Sequence, residues 1–163
     1  MKRTLGLFGL LAAATLAGCT LDTGPANNPT NPATETFASS LGVNIASMTK
    51  TQSGDYYKDV TVGTGPQLTG NAQIGFDYTG YIKDGTIFDT GSIPVTAGET
   101  LANLIVGLQD AMQGMKVGGE RLIVVPSDLG YSTTKFTTGR GVTVGPNATL
   151  IFDIKLTGIT AVP

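Results

Sequence analysis

The chain has 163 residues, with ten Lys and Arg, twelve Asp and Glu, no histidine, no tryptophan and one cysteine. Because the basic residues are few and scattered, the sequence lacks the electrostatic footprint of a nucleic-acid-binding protein. Histidine and a second cysteine are missing, so the usual ligands of a transition metal and any disulfide are missing too. We expect no metal, no cofactor and a fold held together by its hydrophobic core.

The first residues predict an export leader that ends at a lipid-attachment site. Two basic residues precede an apolar run at positions 5–16, and residues 16–19 read Leu-Ala-Gly-Cys. This ending resembles the lipobox of bacterial lipoproteins, in which the leader is cut off before the cysteine and the cysteine is acylated. The run is too short to cross a bilayer. We expect residues 1–18 to be a signal peptide and Cys19 to be lipidated, which anchors the protein to a membrane of the cell envelope, facing the periplasm or the exterior. An ordinary cleaved signal with a chance cysteine is the alternative.

The next segment predicts a tether. Residues 20–36 are rich in Pro, Asn, Thr and Gly and contain almost nothing that could be buried. Residues 37–48 carry apolar side chains near helical spacing and predict a short helix or a partly ordered arm, although Gly42 weakens the helix. Residues 19–50 are therefore expected to be the lipidated cysteine and a flexible tether with a short helix, and residues 51–163 the folded domain.

Most of the domain has the alternation of strands. Apolar residues recur every second position at Ile74, Phe76 and Tyr78, and again from Leu150 to Leu156. The apolar residues of 101–112 instead fit one face of a helix. One helix packed on an antiparallel sheet with one buried face is an α+β domain.

Six short motifs follow one another along the domain, and their order identifies a family. They are YTG at 78–80, DG at 84–85, FDT at 88–90, IVGL at 105–108, MKVGGE at 115–120 and GPNATLIF at 145–152. Over residues 56–159 this series resembles the FKBP-type peptidyl-prolyl cis-trans isomerases. The resemblance implies a curved, half-open antiparallel β-sheet wrapped around one short α-helix, with an apolar pocket for a prolyl residue between them. It also implies rotation of X-Pro peptide bonds without a cofactor.

The resemblance assigns roles to individual residues. Asp89, Tyr131 and Tyr78 match the polar residues at the reacting amide, and the N–H of Ile105 matches a donor to a ligand carbonyl. The matching substrate-binding residues are Phe88, Val95, Leu104, Ile105, Leu108, Val144 and Phe152. From the residues alone, Asp89 could instead cap a turn after Phe88, and the aromatic residues could be plain core.

Two departures from the family pattern bear on function. Leu108 stands where many members have tryptophan, and the short strand after Asp89 has no place for the basic residue that often pairs with that carboxylate. The sequence predicts an isomerase that helps exported proteins to fold. The alternative is a noncatalytic chaperone or binding module for proline-containing or apolar segments. The expected partners are proline-containing polypeptides, macrolide inhibitors of the family and the membrane through the lipid anchor, but no nucleic acid.

Overall fold

The computed structural model describes residues 26–161, so Cys19 and the leader lie outside the described residues. The strands are β1 Thr49–Lys50, β2 Tyr56–Thr61, β3 Gln73–Ile82, β4 Ile87–Ile93, β5 Glu120–Val125, β6 Phe136–Thr137, β7 Thr143–Val144 and β8 Leu150–Thr160, and the α-helix is α1, Val106–Ala111. Turns of 3₁₀ helix occupy Pro32–Thr34, Ser39–Leu41, Ile45–Ser47, Val95–Ala97, Leu101–Asn103 and Ser127–Leu129. Within residues 26–161, no helix is long and apolar enough to cross a membrane.

Six of the strands form one antiparallel sheet in the order β1-β2-β5-β8-β3-β4, while β6 and β7 form a separate hairpin. The long central strands β3 and β8 pair from Gln73↔Thr160 to Ile82↔Leu150, with a bulge after Gly75. The α+β prediction of one short helix against an antiparallel sheet is confirmed, and the sheet does not close into a barrel.

Each face of the sheet carries its own apolar cluster, whereas the alternation predicted a single buried face. On the face that α1 covers, the buried side chains include Ile74, Phe76, Ile123, Phe152 and Ile154. On the opposite face the buried side chains are Leu41, Tyr56, Leu122, Val124 and Ile151. Both faces are therefore buried, which explains why β5 is apolar at every position from Leu122 to Val125.

The second face is covered by residues 37–48, which form two 3₁₀ turns instead of the expected short helix. Gly42 adopts φ +63° and ends the first turn, so the helix cannot continue through it. Phe37, Ile45 and Met48 still pack on the sheet. The apolar spacing therefore indicated that these side chains pack against the sheet, but it did not indicate a helical backbone.

Residues 26–36 were expected to be part of a flexible tether, but they lie against the domain. Pro32 is buried, the N–H of Thr30 donates to Ser127 Oγ at 3.1 Å, and Lys83 Nζ pairs with a Glu35 carboxylate oxygen at 3.1 Å. A Thr- and Asn-rich segment cannot build a core, but its hydroxyl and amide groups can bond to the domain's surface. The segment is therefore docked on the domain, unlike the tether that the sequence predicted.

The helix is shorter than residues 101–112, which the spacing predicted. Leu104 and Ile105 are extended, with ψ of 165° and 148°, so the apolar residues 101–105 belong to a 3₁₀ turn and a connection. At the other end, Arg121 Nη1 donates to the carbonyls of Ala111 at 2.7 Å and Gln113 at 3.0 Å. A cation that bonds the last carbonyls of a helix satisfies groups that have no partner within it. Arg121 thus fixes the point at which α1 ends.

Helix α1 sits close to β5 and to the buried Asp55. A Cβ on Gly107 would lie 2.5 Å from Val125 Cγ1 and 2.7 Å from Asp55 Oδ1, so a glycine is required there. Asp55 Oδ2 accepts hydrogen bonds from the hydroxyls of Thr51 at 3.2 Å and Ser53 at 3.1 Å, whereas Oδ1 has no partner among the described residues. Burial raises the pKa of Asp55 from 3.8 to about 6, despite the two hydroxyls that favour the charged form.

The raised pKa of Asp55 predicts a pH-dependent cost to stability. Between pH 3.8 and about 6 the folded chain holds a proton that the unfolded chain has released, so the free energy of unfolding falls as pH rises through that range. The substitution Asp55→Asn removes the buried charge and should stabilise the protein at pH 7.5 by about 1–3 kcal/mol. The gain should nearly vanish below pH 4.

Chemical denaturation at several pH values measures this difference. The exposed Asp128 provides the control, since Asp128→Asn should give no comparable gain. A gain for Asp55→Asn that is the same at pH 4 and pH 7.5 would contradict the assignment to a buried charge.

Candidate functional site

A cavity of about 400 Å³ lies on the part of the sheet that α1 leaves uncovered. Strands β3, β4 and β8 form its back wall, the connection before α1 forms one side, and the loop after β5 forms the other. Its lining residues are Phe76, Tyr78, Phe88, Asp89, Ile93, Glu99, Asn103, Leu104, Ile105, Leu108, Tyr131 and Phe152. Most of these side chains are apolar or aromatic, and few are polar, which is the usual composition of a small-molecule or peptide pocket.

Two phenylalanines from different strands set the shape of the wall. The rings of Phe88 and Phe152 meet edge to face, with centroids 5.7 Å apart and an interplanar angle of 84°. A Cβ on Gly80 would lie 2.7 Å from Phe88 Cζ and 3.2 Å from Phe152 Cε1. Glycine at position 80 therefore allows the two rings to pack against the backbone of β3.

Asp89 is held by two neutral donors. The Tyr78 hydroxyl donates to Oδ2 at 2.8 Å, and the N–H of Thr90 donates to Oδ1 at 2.9 Å. One oxygen thus bonds the next amide within β4 and the other bonds a pocket hydroxyl, so Asp89 does not cap a turn. In the described part of the chain, the ion pairs are Lys83–Glu35 and Arg121–Asp59, and neither involves Asp89.

The carboxylate of Asp89 contributes to a raised pKa of both pocket tyrosines. Burial, the hydrogen bond to Asp89 and the charge of Asp89 together raise the pKa of Tyr78 to about 12. Burial and then the charge of Asp89 also raise the pKa of Tyr131. Both hydroxyls therefore stay protonated and remain hydrogen-bond donors at neutral pH.

Tyr131 differs from Tyr78 because its hydroxyl has no hydrogen-bond partner among residues 26–161. Its ring is half-buried and packs edge to face against Phe136, with centroids 4.7 Å apart. The β6–β7 hairpin that carries Phe136 thus supports the ring, while the hydroxyl stays free to donate to a bound molecule.

The connection before α1 supplies a backbone donor. Gln109 Nε2 donates to the carbonyls of Leu104 at 2.7 Å and Ala102 at 3.2 Å, which fixes this extended stretch. The N–H of Ile105 has no acceptor in the described part of the chain. Leu108, only 6% exposed, lies on the first turn of α1 beneath this connection. A ligand carbonyl at the side wall could accept from Ile105.

The structure brings together eight of the ten site residues that the sequence proposed for the pocket. Val95 and Val144 do not line the cavity. Val95 packs against the backbone of β3 and β8, where a Cβ on Gly75 would lie 2.6 Å from its N atom. Val144 is fully buried in β7, opposite Phe136, because the hairpin turns its side chain into the core.

Four lining residues were not among the proposed set. Phe76 lies on the same face of β3 as Tyr78, and Ile93 on β4 is the pairing partner of Phe76. Strand alternation and strand pairing could therefore have identified both residues. Glu99 and Asn103 come from connections without a periodic signal. In residues 26–161 no three His, Cys, Asp or Glu residues are placed to hold a metal ion.

Comparison with known proteins matches this chain to a known family. Residues 65–157 match the family model described as FKBP-type peptidyl-prolyl cis-trans isomerase. A probable isomerase of this type from Neisseria meningitidis serogroup B, FkpA, is 40% identical over 114 residues, which are 68% of this chain and 40% of that protein. A protein named FK506-binding protein from Neisseria meningitidis serogroup A is 33% identical over 102 residues, which are 61% of this chain and 90% of that protein.

Solved structures of the same family superimpose on this chain. A peptidyl-prolyl cis-trans isomerase from Pseudomonas syringae pv. tomato superimposes with a TM-score of 0.58 at 29% identity, covering 69% of this chain and 80% of that one. FkpA from Escherichia coli superimposes with a TM-score of 0.56 at 28% identity, covering 71% of this chain and 53% of that one. The chain thus spans less than two thirds of the length of both FkpA proteins.

Removing the charge of Asp89 should make both pocket tyrosines easier to ionise. In Asp89→Asn the pKa of Tyr78 should fall below about 12 and that of Tyr131 should fall as well, while burial still raises the pKa of both hydroxyls. A pH titration of ¹³C-labelled tyrosine rings by NMR measures both values. Asp77→Asn is the matched control, because Asp77 lies on the opposite face of β3 and bonds Ser92. Unchanged tyrosine titrations in Asp89→Asn would show that the carboxylate does not act on them.

Proposed function

Because the chain belongs to the family of FKBP-type peptidyl-prolyl cis-trans isomerases, we propose that it catalyses rotation about X-Pro peptide bonds in exported proteins and so helps them to fold at the cell envelope. The observation that carries the proposal is an apolar cavity lined by Tyr131, Ile105 and Asp89. Within residues 26–161 the Tyr131 hydroxyl and the Ile105 N–H have no hydrogen-bond partner, and the Asp89 carboxylate has no ion-pair partner. These are groups that can bind an amide without attacking it.

The reaction requires no bond to be made or broken. Rotation about a peptide bond loses amide resonance and meets a barrier of about 18–20 kcal/mol. An X-Pro bond therefore isomerises in tens to hundreds of seconds, which is slow enough to limit folding. A site that fits the twisted amide better than either planar isomer lowers the barrier, and removing water from the amide strengthens every polar contact in the site.

The lining residues divide into those that would hold the prolyl ring and those that would act on the amide. The rings of Phe88 and Phe152 and the side chain of Leu108 offer apolar surface to the pyrrolidine. Ile105 N–H and the Tyr131 hydroxyl would donate to carbonyl oxygens of the substrate. The charge of Asp89 would favour the twisted amide, whose carbonyl carbon is poorer in electrons once the nitrogen lone pair is no longer shared with it.

The same pocket is proposed to accept macrolide inhibitors, since one relative bears the name FK506-binding protein. Leu108 covers less area than the indole that many family members place at the floor. If the difference is roughly 60 Å², then at about 25 cal/mol per Å² the binding is weaker by about 1.5 kcal/mol, or roughly tenfold in Kd.

Loss of the Tyr131 hydroxyl should slow catalysis without unfolding the protein. Tyr131→Phe keeps the ring and its contact with Phe136, so we expect kcat/KM in a protease-coupled proline-isomerisation assay to fall about ten- to a hundredfold. Tyr81→Phe is the matched control, because Tyr81 packs against the apolar cluster on the other face of the sheet. The melting temperatures of both variants should stay close to that of the parent.

The outcome also separates the two functions that the sequence left open. A folded parent chain that binds proline peptides and does not accelerate their isomerisation would be a binding module. An active parent with unchanged rates in Tyr131→Phe would remove Tyr131 from the mechanism.

Attachment to the membrane is proposed at Cys19, on the strength of the lipobox-like ending of the leader. More than one acyl chain is needed for stable anchoring, and a lipidated N-terminal cysteine supplies this. The protein should fractionate with membranes, and Cys19→Ala should abolish both lipidation and membrane attachment. Intact-mass analysis checks the modification, and a mature chain that begins elsewhere or carries an unmodified Cys19 would refute the anchor.

A further inference from the structure

We propose that the segment Ala26–Pro32, the strap, positions Tyr131 by holding both ends of the loop Ser127–Ser132 on which it lies. The inference rests on the proposed isomerase function, because it assigns the strap a role in that reaction. No residue of the strap lines the cavity. Its members are therefore positioning residues, which act on the substrate only through the loop.

Thr30 holds the first end of the loop by a reciprocal pair of hydrogen bonds. The N–H of Thr30 donates to Ser127 Oγ at 3.1 Å, and the N–H of Ser127 donates to Thr30 Oγ1 at 2.9 Å. Ser127 is fully buried. Its N–H and its hydroxyl oxygen therefore both bond the strap, and a buried donor that loses its acceptor costs far more than an exposed one.

The second end of the loop meets the strap through Ser132 and Asn147. Ser132 Oγ donates to Asn27 Oδ1 at 3.3 Å, and the N–H of Asn147 donates to the carbonyl of Ser132 at 2.7 Å. The Asn147 side chain in turn donates to the carbonyl of Ala26 at 3.0 Å and accepts from the N–H of Asn28 at 3.3 Å. Ser132 directly follows Tyr131, so these contacts reach the backbone next to the pocket residue.

The same two residues have unusual backbone geometry. Ser132 has φ +51° and Asn147 has φ +54°, and in residues 26–161 they are the two non-glycine residues with positive φ. Asparagine tolerates this conformation better than serine does. Such residues persist where the surrounding structure fixes them, and they concentrate at functional sites. Here the surrounding structure includes the strap.

The strap is also bonded, near its C-terminal end, to the residue that precedes β8. The hydroxyls of Thr30 and Thr149 lie 2.7 Å apart, and the Thr149 hydroxyl also donates to the carboxylate of Glu35. Thr149 lies just before β8 and is 2% exposed. The strap therefore joins the Tyr131 loop to the base of a central strand, which is a rigid support for a side chain that has to meet a substrate carbonyl.

Thr30→Val in the full chain tests the inference, since it keeps the side-chain shape and removes the hydroxyl. We expect kcat to fall about three- to tenfold with KM changed less than about twofold, because the apolar walls stay intact. Thr30→Ser restores the hydroxyl and should restore kcat. Thr34→Val is the matched control. Among the described residues, the Thr34 hydroxyl bonds only the carbonyl of Asn31, at the 3₁₀ turn Pro32–Thr34. Hydrogen exchange at the amides of Ser127 and Ser132 should speed up in Thr30→Val but not in Thr30→Ser or Thr34→Val.

A second variant tests the inference independently in case Thr30→Val does not fold. Asn147→Asp keeps an acceptor and a backbone that tolerates positive φ, but loses the donor to Ala26, so it should change kcat and exchange in the same direction. Unchanged kcat in folded Thr30→Val, or failure of Thr30→Ser to restore it, would overturn the inference. If the parent chain proves inactive, the proposed function fails, and continued protection of Ser127 and Ser132 in Thr30→Val would then separately refute the strap's hold on the loop.

Discussion

The pocket exists because the helix is too short to cover the sheet it packs on. Strand β8 has eleven residues and spans about 35 Å, whereas the six residues of α1 span about 9 Å. The length of α1 is fixed at both ends, by the extended backbone of Leu104 and Ile105 and by the Arg121 guanidinium on its last carbonyls. Arg121 is itself fixed, since its Nε pairs with Asp59 at 2.7 Å and its guanidinium lies over the Tyr57 ring at 4.1 Å. The aromatic surface that α1 leaves uncovered forms the walls of the cavity.

Inside the cavity, the polar groups differ in how far the protein has already satisfied them. Asp89 has both of its oxygens bonded by neutral donors, so its position is fixed while its charge is not neutralised by a cation. The Tyr131 hydroxyl and the Ile105 N–H keep their hydrogen-bonding capacity for a bound molecule. A fixed charge and two free donors in an apolar enclosure need little rearrangement when a substrate binds, which is what electrostatic preorganisation requires.

The sequence was most informative where burial imposes a period. The alternation of β3 and β8 was visible because each residue's side chain must face either the core or the opposite surface, and the pocket aromatics Tyr78, Phe88 and Phe152 followed from the family motifs. It was least informative where tertiary contacts set the backbone. Nothing local shows that residues 101–105 leave the helix or that Val144 turns into the core, because both depend on the elements packed against them. The polar composition of residues 26–36 predicted a tether, but the hydrogen bonds that dock this segment join residues about a hundred positions apart along the chain.

The docked strap also changes what the proposed anchor at Cys19 means for the pocket. Six residues lie between Cys19 and Ala26, and the seven peptide units from one Cα to the other can span no more than about 25 Å. A tether that stayed free as far as residue 36 would reach about 60 Å, more than twice as far. Because Asn27 bonds Ser132 beside Tyr131, an anchor at Cys19 would hold the Tyr131 side of the domain within about the shorter distance of the lipid. The proposed attachment point and the proposed donor to the substrate are therefore connected through one short stretch of backbone.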